Sequence, residues 1–138
     1  MRTKIAIALL TVAAILVGTG LVGAQTAPPA PKVQLPSGDT VWDLSGDWDA
    51  FVENLGPWAR IGIHPNVYRI TQTGTTFSAI RLKDHAPPSQ ARAGTPSLKG
   101  ELEKNGFKEV WMIDSGGESW PSKGQISEDG KKIVIEMA

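Results

Sequence analysis

The sequence predicts an all-β fold, a small antiparallel up-and-down β-barrel of about seven to eight strands. Three observations favour this fold. Apolar and polar residues alternate with a period of two, glycine-containing turns separate the alternating runs, and almost no segment has helical periodicity. Strands that follow one another through hairpins pair as antiparallel neighbours. A sheet of this kind removes its exposed edges by closing into a barrel.

Residues 1–24 have the pattern of a secretory signal peptide. The chain starts Met-Arg-Thr-Lys, continues with an apolar run, and reaches Val22-Gly23-Ala24, whose small residues suit a cleavage site. The alternative is an uncleaved membrane anchor, because the apolar run is nearly long enough to span a bilayer. Cleavage after Ala24 is the preferred interpretation. It predicts a periplasmic or secreted protein without stable membrane insertion once the signal peptide is removed.

The remaining chain divides into a linker and one domain. Residues 25–38 hold four prolines among small and polar residues, which is typical of an extended, solvated linker. Residues 39–138 contain the alternating runs and form the predicted barrel domain. Val41 and Trp42, just before the first long strand, are expected either to add a short edge strand or to pack over one end of the barrel.

Composition excludes several function classes. There is no cysteine, so disulfides, thiolate metal sites and cysteine nucleophiles are absent. The 14 basic and 14 acidic residues balance, and removal of Arg2 and Lys4 with the signal peptide leaves an excess of two acidic side chains. A nucleic-acid-binding surface normally shows a basic stripe. None is visible, and no nucleic-acid partner is expected.

The first long strand starts near Leu44, and its alternation places Trp48, Ala50 and Val52 on one face. In a later strand Leu98, Gly100 and Leu102 face inward, and Gly100 marks either a bulge or the close approach of another backbone. Near the Asn-Gly turn, the returning strand is expected to place Phe107, Trp111 and Ile113 on the core side. The later predicted strands are 67–73, 76–83, 98–103, 107–113, 120–127 and 131–137.

Two long connections interrupt the hairpins, residues 55–65 and 84–96. The first contains Pro57, Gly62 and Pro65, which argue against a continuous helix or a central strand. It is nevertheless rich in apolar side chains. Long ordered loops of this kind often form binding sites. The alternative is a plug that only closes one end of the core, and the sequence leaves both open.

The segment Leu44-Ser45-Gly46-Asp47-Trp48 resembles the Gly-x-Trp opening of lipocalins and related calycin barrels. The long first connection followed by a series of hairpins is also similar to that family. The resemblance implies a lipocalin-like barrel in which Trp48 closes the narrow end and has a structural role only. The chain is shorter than most lipocalins and shows no C-terminal helix, so a reduced, bacterial version of the fold is expected.

Catalytic chemistry has little support in the sequence. Gly-x-Ser-x-Gly is absent, and Asp47, Asp49 and Glu53 form a period-two row that is typical of a solvated strand face. His64 and His85 are expected in solvent-facing loops, without the further ligand that a metal site needs. The prediction is a non-enzymatic protein with no metal and no cofactor.

A binding role is the preferred hypothesis. Trp48 and Trp111 are expected in the core, whereas Trp42, Trp58 and Trp120 fall near turns, where large amphipathic rings often have functional roles. A small hydrophobic or aromatic ligand is expected at the open end of the barrel. There Trp58 would stack on it, Tyr68 would offer its hydroxyl, and Arg60 or Arg81 would pair with an acidic group.

A second hypothesis comes from the length of the chain. A short barrel can be filled by its own side chains, among them Phe77, Leu98, Leu102, Trp111, Ile133 and Ile135. The protein would then act through its surface on another envelope protein, as an inhibitor or assembly factor. Trp58, Ile61 and Ile63 would be the exposed anchor.

Overall fold

A computed structural model describes residues 30–138 together with the backbone of residues 3–8. In this part of the chain no helix is long and apolar enough to span a membrane. One short 3-10 helix is present at Gly56–Ile61, and everything else regular is strand. The strands are β1 (Thr3–Ala8), β2 (Lys32–Gln34), β3 (Thr40–Trp42), β4 (Gly46–Asn54), β5 (Ile63–Thr73), β6 (Thr76–Arg81), β7 (Pro96–Glu103), β8 (Gly106–Ile113), β9 (Ser119–Ile126) and β10 (Lys132–Met137).

Strands β4 to β10 form the predicted up-and-down sheet. Each pairs antiparallel with the next strand along the chain, and the seven strands curl into a half-barrel. The eighth strand, β1, lies between β4 and β10 and closes the barrel. Its Ile5 is opposite Val52 on one side and Ile135 on the other. The predicted fold class and strand number are therefore confirmed.

Strand β1 belongs to the segment that the sequence predicts to be a signal peptide. The backbone of Thr3–Ala8 pairs with both edges of the half-barrel. The proposed cleavage site after Ala24 lies outside the described residues, and cleavage stays a prediction. If the segment is removed, the facing edges of β4 and β10 lose this common neighbour.

One end of the barrel is closed by the residues that precede β4. Part of the predicted linker is ordered here, because Lys32–Gln34 pairs with Thr40–Trp42. The Nζ of Lys32 lies 4.5 Å from the centre of the Trp42 ring, a cation–π contact. Trp42 itself is buried, as are Val41 and Leu44. Val41 and Trp42 therefore do both things that the sequence allowed. They form a short strand, and they pack over the end of the barrel.

The side chain of Gln72 ties this end together. Its Oε1 accepts a hydrogen bond from the Leu44 backbone at 2.8 Å. Its Nε2 donates to the carbonyl oxygens of Trp42 and Gly74, both at 2.9 Å. A single amide thus satisfies backbone groups from two segments that are distant in sequence, which fixes the approach of the chain to β4.

The core fills the barrel at the closed end. The predicted inward face of β4 is correct, since Trp48, Ala50 and Val52 are buried. Leu98 and Leu102 are buried as expected. The other buried apolar residues of the barrel are Tyr68, Ile70, Phe77, Ala79, Val110, Met112, Ile133 and Ile135.

Trp111 was expected in the core, and this prediction is wrong. It is only partly buried, whereas its neighbours Val110 and Met112 are buried. The reason is a β-bulge: Glu101 pairs with Glu109, but Leu102 pairs with Phe107, so Lys108 is an extra residue. An extra residue exchanges the two faces of every following position. Trp111 and Ile113 therefore leave the face that Phe107 shares with the core.

Gly100 is confirmed as a position where another backbone comes close. A Cβ atom placed there would overlap the carbonyl oxygen of Glu109 and come within 2.9 Å of the Phe77 ring. The prediction that 55–65 lacks strand is wrong at its end, because β5 begins at Ile63 and includes Pro65. Pro65 is tolerated because the neighbouring strand β6 pairs with β5 only from Tyr68 onward.

Candidate functional site

A cavity of about 530 Å³ occupies the end of the barrel opposite Trp48 and opens to solvent. It lies where β4 ends and β5 begins, beneath the 3-10 helix and beside the 82–95 connection. Its apolar wall includes Val52, Trp58, Ile61, Pro88, Ala91, Met112, Ile113, Trp120 and Met137. Its polar lining includes Asn54, Tyr68, Arg81, His85, Ser89, Gln90, Ser97, Asp114 and Ser115. The barrel is thus packed at one end and hollow at the other.

Arg81 is the arginine of the cavity wall and is only 5% exposed. Its Nη1 donates to Thr95 Oγ1 at 2.9 Å, and its Nη2 donates to the Ile113 carbonyl at 3.0 Å. Burial lowers the pKa of Arg81, and the nearby Tyr68 and Asp114 partly restore it. Within residues 30–138 no carboxylate forms an ion pair with it, and Asp114 acts on it only through electrostatic attraction. Arg81 is therefore a buried cation held by neutral acceptors.

Tyr68 lies beside Arg81 on the neighbouring strand, directly opposite it in the β5–β6 pairing. The ring is buried, and burial raises the pKa of its hydroxyl, an effect that Ser97 and Arg81 partly offset by hydrogen bonding to the hydroxyl. The hydroxyl is consequently neutral over the physiological pH range and can both donate and accept.

Asn54 is the last residue of β4, and its side chain also reaches the cavity wall. The residue is 6% exposed, and its Nδ2 is buried without a hydrogen-bond partner among the described residues. A buried unpaired amide costs about 1–3 kcal/mol. Asn54 is not among the predicted site residues, although the sequence carries a signal for it. The inward alternation Trp48, Ala50, Val52 continues to position 54.

The two histidines do not lie in solvent-facing loops, contrary to prediction. His64 is in strand β5, His85 follows β6, and both are partly buried. Their rings meet edge to face with centroids 5.6 Å apart. His85 lines the cavity, and burial together with the neighbouring His64 and Arg81 lowers its pKa. The described residues contain no group of three side chains that could hold a metal ion.

Asp114 and Trp120 form part of the cavity rim. The Asp114 Oδ2 accepts a 2.9 Å hydrogen bond from the Trp120 indole, and its Oδ1 accepts from the backbone of Gly116 and Glu118. These donors lower the pKa of Asp114, so its carboxylate stays ionised. Trp120 is 42% exposed and is held in place by this bond.

Three of the four predicted ligand-binding residues lie together on the cavity. Trp58 stands at its mouth on the 3-10 helix, and Tyr68 and Arg81 form its wall. Arg60, on the same helix as Trp58, is exposed and does not line the cavity. The sequence could not show which of Arg60 and Arg81 faces the cavity. Successive side chains of a 3-10 helix point in different directions, so Trp58 can line the cavity while Arg60 does not.

Fold and site together define an antiparallel β-barrel with a cavity open at one end. Compared with known proteins, the chain matches no family model, no curated protein and no solved structure.

Proposed function

We propose that this chain is an exported, non-enzymatic protein that binds a small, partly apolar or aromatic molecule in the cavity of a lipocalin-like barrel. The observation that carries the proposal is the cavity itself. About 530 Å³, lined by apolar side chains with a few polar groups, falls within the usual size range and composition of small-molecule sites. In this proposal Trp58 stacks on the ligand and Tyr68 offers its hydroxyl.

The lipocalin-like part of the proposal has support at the opposite end of the barrel. Trp48 of the Gly46-Asp47-Trp48 segment is 2% exposed and lies under the cap formed by Val41 and Leu44. That is the place at which the resemblance puts the tryptophan of lipocalins.

Tryptophan fluorescence tests the proposal directly. The protein is titrated with a panel of lipids, haem-like pigments and aromatic metabolites. We expect at least one saturable response that weakens tenfold or more in Trp58→Ala. Trp111→Ala is the matched control, because Trp111 does not line the cavity, and it should bind like the parent. A panel without any response, together with identical behaviour of Trp58→Ala and parent, would remove the support for this site.

A second candidate function is contact with another envelope protein. One observation favours it: Phe51, Trp58 and Ile63 are large apolar residues that are 49%, 37% and 61% exposed. Phe51 and Ile63 are absent from the cavity lining. A pull-down from the cell envelope that depends on Phe51 and Ile63, while ligand titrations do not, would support the surface function over the cavity.

A further inference from the structure

We infer that the ligand is an amphipathic carboxylic acid whose carboxylate binds the guanidinium of Arg81 beside the Tyr68 hydroxyl. This inference rests on the proposed function and specifies which class of molecule fills the cavity. It starts from an imbalance in the polar lining. One buried donor of the cavity, Asn54 Nδ2, has no acceptor among the described residues, and the buried Arg81 forms no ion pair with them, although the Asp114 carboxylate attracts it electrostatically.

Arg81 places a positive charge in the wall of the cavity. A guanidinium has five N–H donors, and the Thr95 hydroxyl, the Ile113 carbonyl and the Tyr68 hydroxyl accept hydrogen bonds from it. All three acceptors are neutral. A cation removed from water is costly unless an opposite charge accompanies it. An anion entering the cavity would supply that charge, and planar carboxylates match the guanidinium in bidentate geometry.

Two neutral side chains with hydrogen-bond donors, Asn54 and Tyr68, line the cavity together with Arg81. The Nδ2 of Asn54 is buried on the same cavity wall and has no partner in the part of the chain that the structure describes. The Tyr68 hydroxyl, kept neutral by burial, already interacts with Arg81. An ionised carboxylate only accepts hydrogen bonds and offers about four lone-pair sites. It therefore suits a wall with unused donors better than an amine or a guanidinium would.

The charge at the rim of the cavity favours a ligand with one negative charge over a ligand with two. Asp114 lines the cavity, and the hydrogen bonds from Trp120, Gly116 and Glu118 keep it ionised. With a single arginine on the wall and a carboxylate at the rim, a dianion such as a phosphate monoester is repelled by Asp114 about twice as strongly as a monoanion. A monoanion can pair with Arg81 at the smaller cost. The remainder of the ligand then contacts the apolar side chains of Met112 and Trp58.

Matched ligands test the inference without altering the protein. Binding of 1-naphthaleneacetic acid, its neutral isostere 1-naphthaleneacetamide and the dianion 1-naphthyl phosphate is measured by calorimetry at neutral pH. We expect the acid to bind at least tenfold more tightly than the amide and than the phosphate. Equal binding of acid and amide, or tighter binding of the phosphate, would overturn the carboxylate assignment and leave the proposed function intact. If neither the naphthyl compounds nor any member of the fluorescence panel binds, the result counts instead against the proposed function.

Variants locate the anion. Arg81→Gln should bring the affinity for the acid down to that for the amide and leave the amide within threefold of the parent. Arg81→Lys, which keeps the charge but not the bidentate fork, should retain an intermediate preference. Arg60→Gln is the matched control, since it removes the same charge outside the cavity, and it should change neither affinity. Near-ultraviolet dichroism checks folding of the variants. A folded Arg81→Gln protein that still prefers the acid tenfold would overturn the role of Arg81.

Discussion

The indole Nε1 of Trp48 donates a 2.7 Å hydrogen bond to the carbonyl oxygen of Leu44, four residues earlier in the chain. Both residues are almost completely buried, at 2% and 1% exposure. The bond satisfies a polar group of each residue inside the core and fixes the bend by which the chain enters β4. Trp48 is therefore a core side chain that also stabilises the closed end of the barrel.

Replacement of Trp48 should separate these two contributions. Trp48→Phe keeps an aromatic ring but leaves the Leu44 carbonyl unpaired, and we expect a loss of about 1–3 kcal/mol in unfolding free energy. Trp48→Ala also creates a cavity and should cost about 3–5 kcal/mol. Urea denaturation measures both. A Trp48→Phe protein as stable as the parent would show that water or a neighbouring group replaces the indole.

Two glycines provide a test of packing between strands. Gly100→Ala would push a methyl group into the backbone of Glu109, which cannot move without distorting the β7–β8 pairing. At Gly124 the three atoms nearest to an added Cβ all belong to the half-buried Phe107 ring, a side chain rather than backbone. Both changes gain the same small preference of alanine over glycine. We expect Gly100→Ala to cost about 1–3 kcal/mol and Gly124→Ala clearly less, measured by urea denaturation. The reverse order would contradict the assigned register.

His85 should make the stability of the protein depend on pH. Burial, His64 and Arg81 hold its pKa below the ordinary value of 6.5. The folded state therefore binds a proton less readily than the unfolded state, so the contribution of His85 to stability is present above pH 6.5. It is lost as pH falls through the lowered folded-state pKa. Melting temperatures between pH 7.5 and 5 should decline in the parent and decline less in His85→Gln. Identical slopes for the two proteins would show that other groups dominate.

Strand β1 can be tested by removing it. A chain that begins at Gln25 lacks the backbone partner of residues 49–54 in β4 and of residues 132–136 in β10. We expect faster amide hydrogen exchange in these two stretches than in the full-length chain, because their ladder hydrogen bonds are missing. The β6–β7 pair is the internal control and should be unchanged. Equal protection in both proteins would mean that β4 and β10 find another partner.

The strand order from Gly46 to Met137 could be predicted because each strand carries its own signal. Inward and outward residues alternate, and glycine turns separate the strands. The predictions that failed depended on information that the sequence of a single strand does not contain. The extra residue Lys108 in β8 exchanged the face of Trp111, and only the pairing with β7 reveals it. Pro65 was assigned to a loop because the sequence does not show that β6 pairs with β5 only from Tyr68 onward.

The cavity was predictable in part. Trp58, Tyr68 and Arg81 were found because their residue types suit ligand contacts, and three-dimensional placement then brought them together. Asn54 could have been predicted by extending the inward alternation of β4 by one more inward position. His64 and His85 could not be paired from the sequence. They are 21 residues apart, and their contact depends on how the 82–95 connection folds back against β5.

The position of β1 bears on the predicted export of the chain. The residues Thr3–Ala8 are the start of the predicted leader and also the wall segment between β4 and β10. If residues 1–24 do act as a leader, this stretch of chain cannot engage the export machinery and fill the barrel wall simultaneously. A precursor that closed its barrel early would withdraw its own leader from the translocation route, whereas prompt processing would release a domain with a gap the width of one strand. The rate of barrel closure relative to leader removal would then determine which of the two forms accumulates.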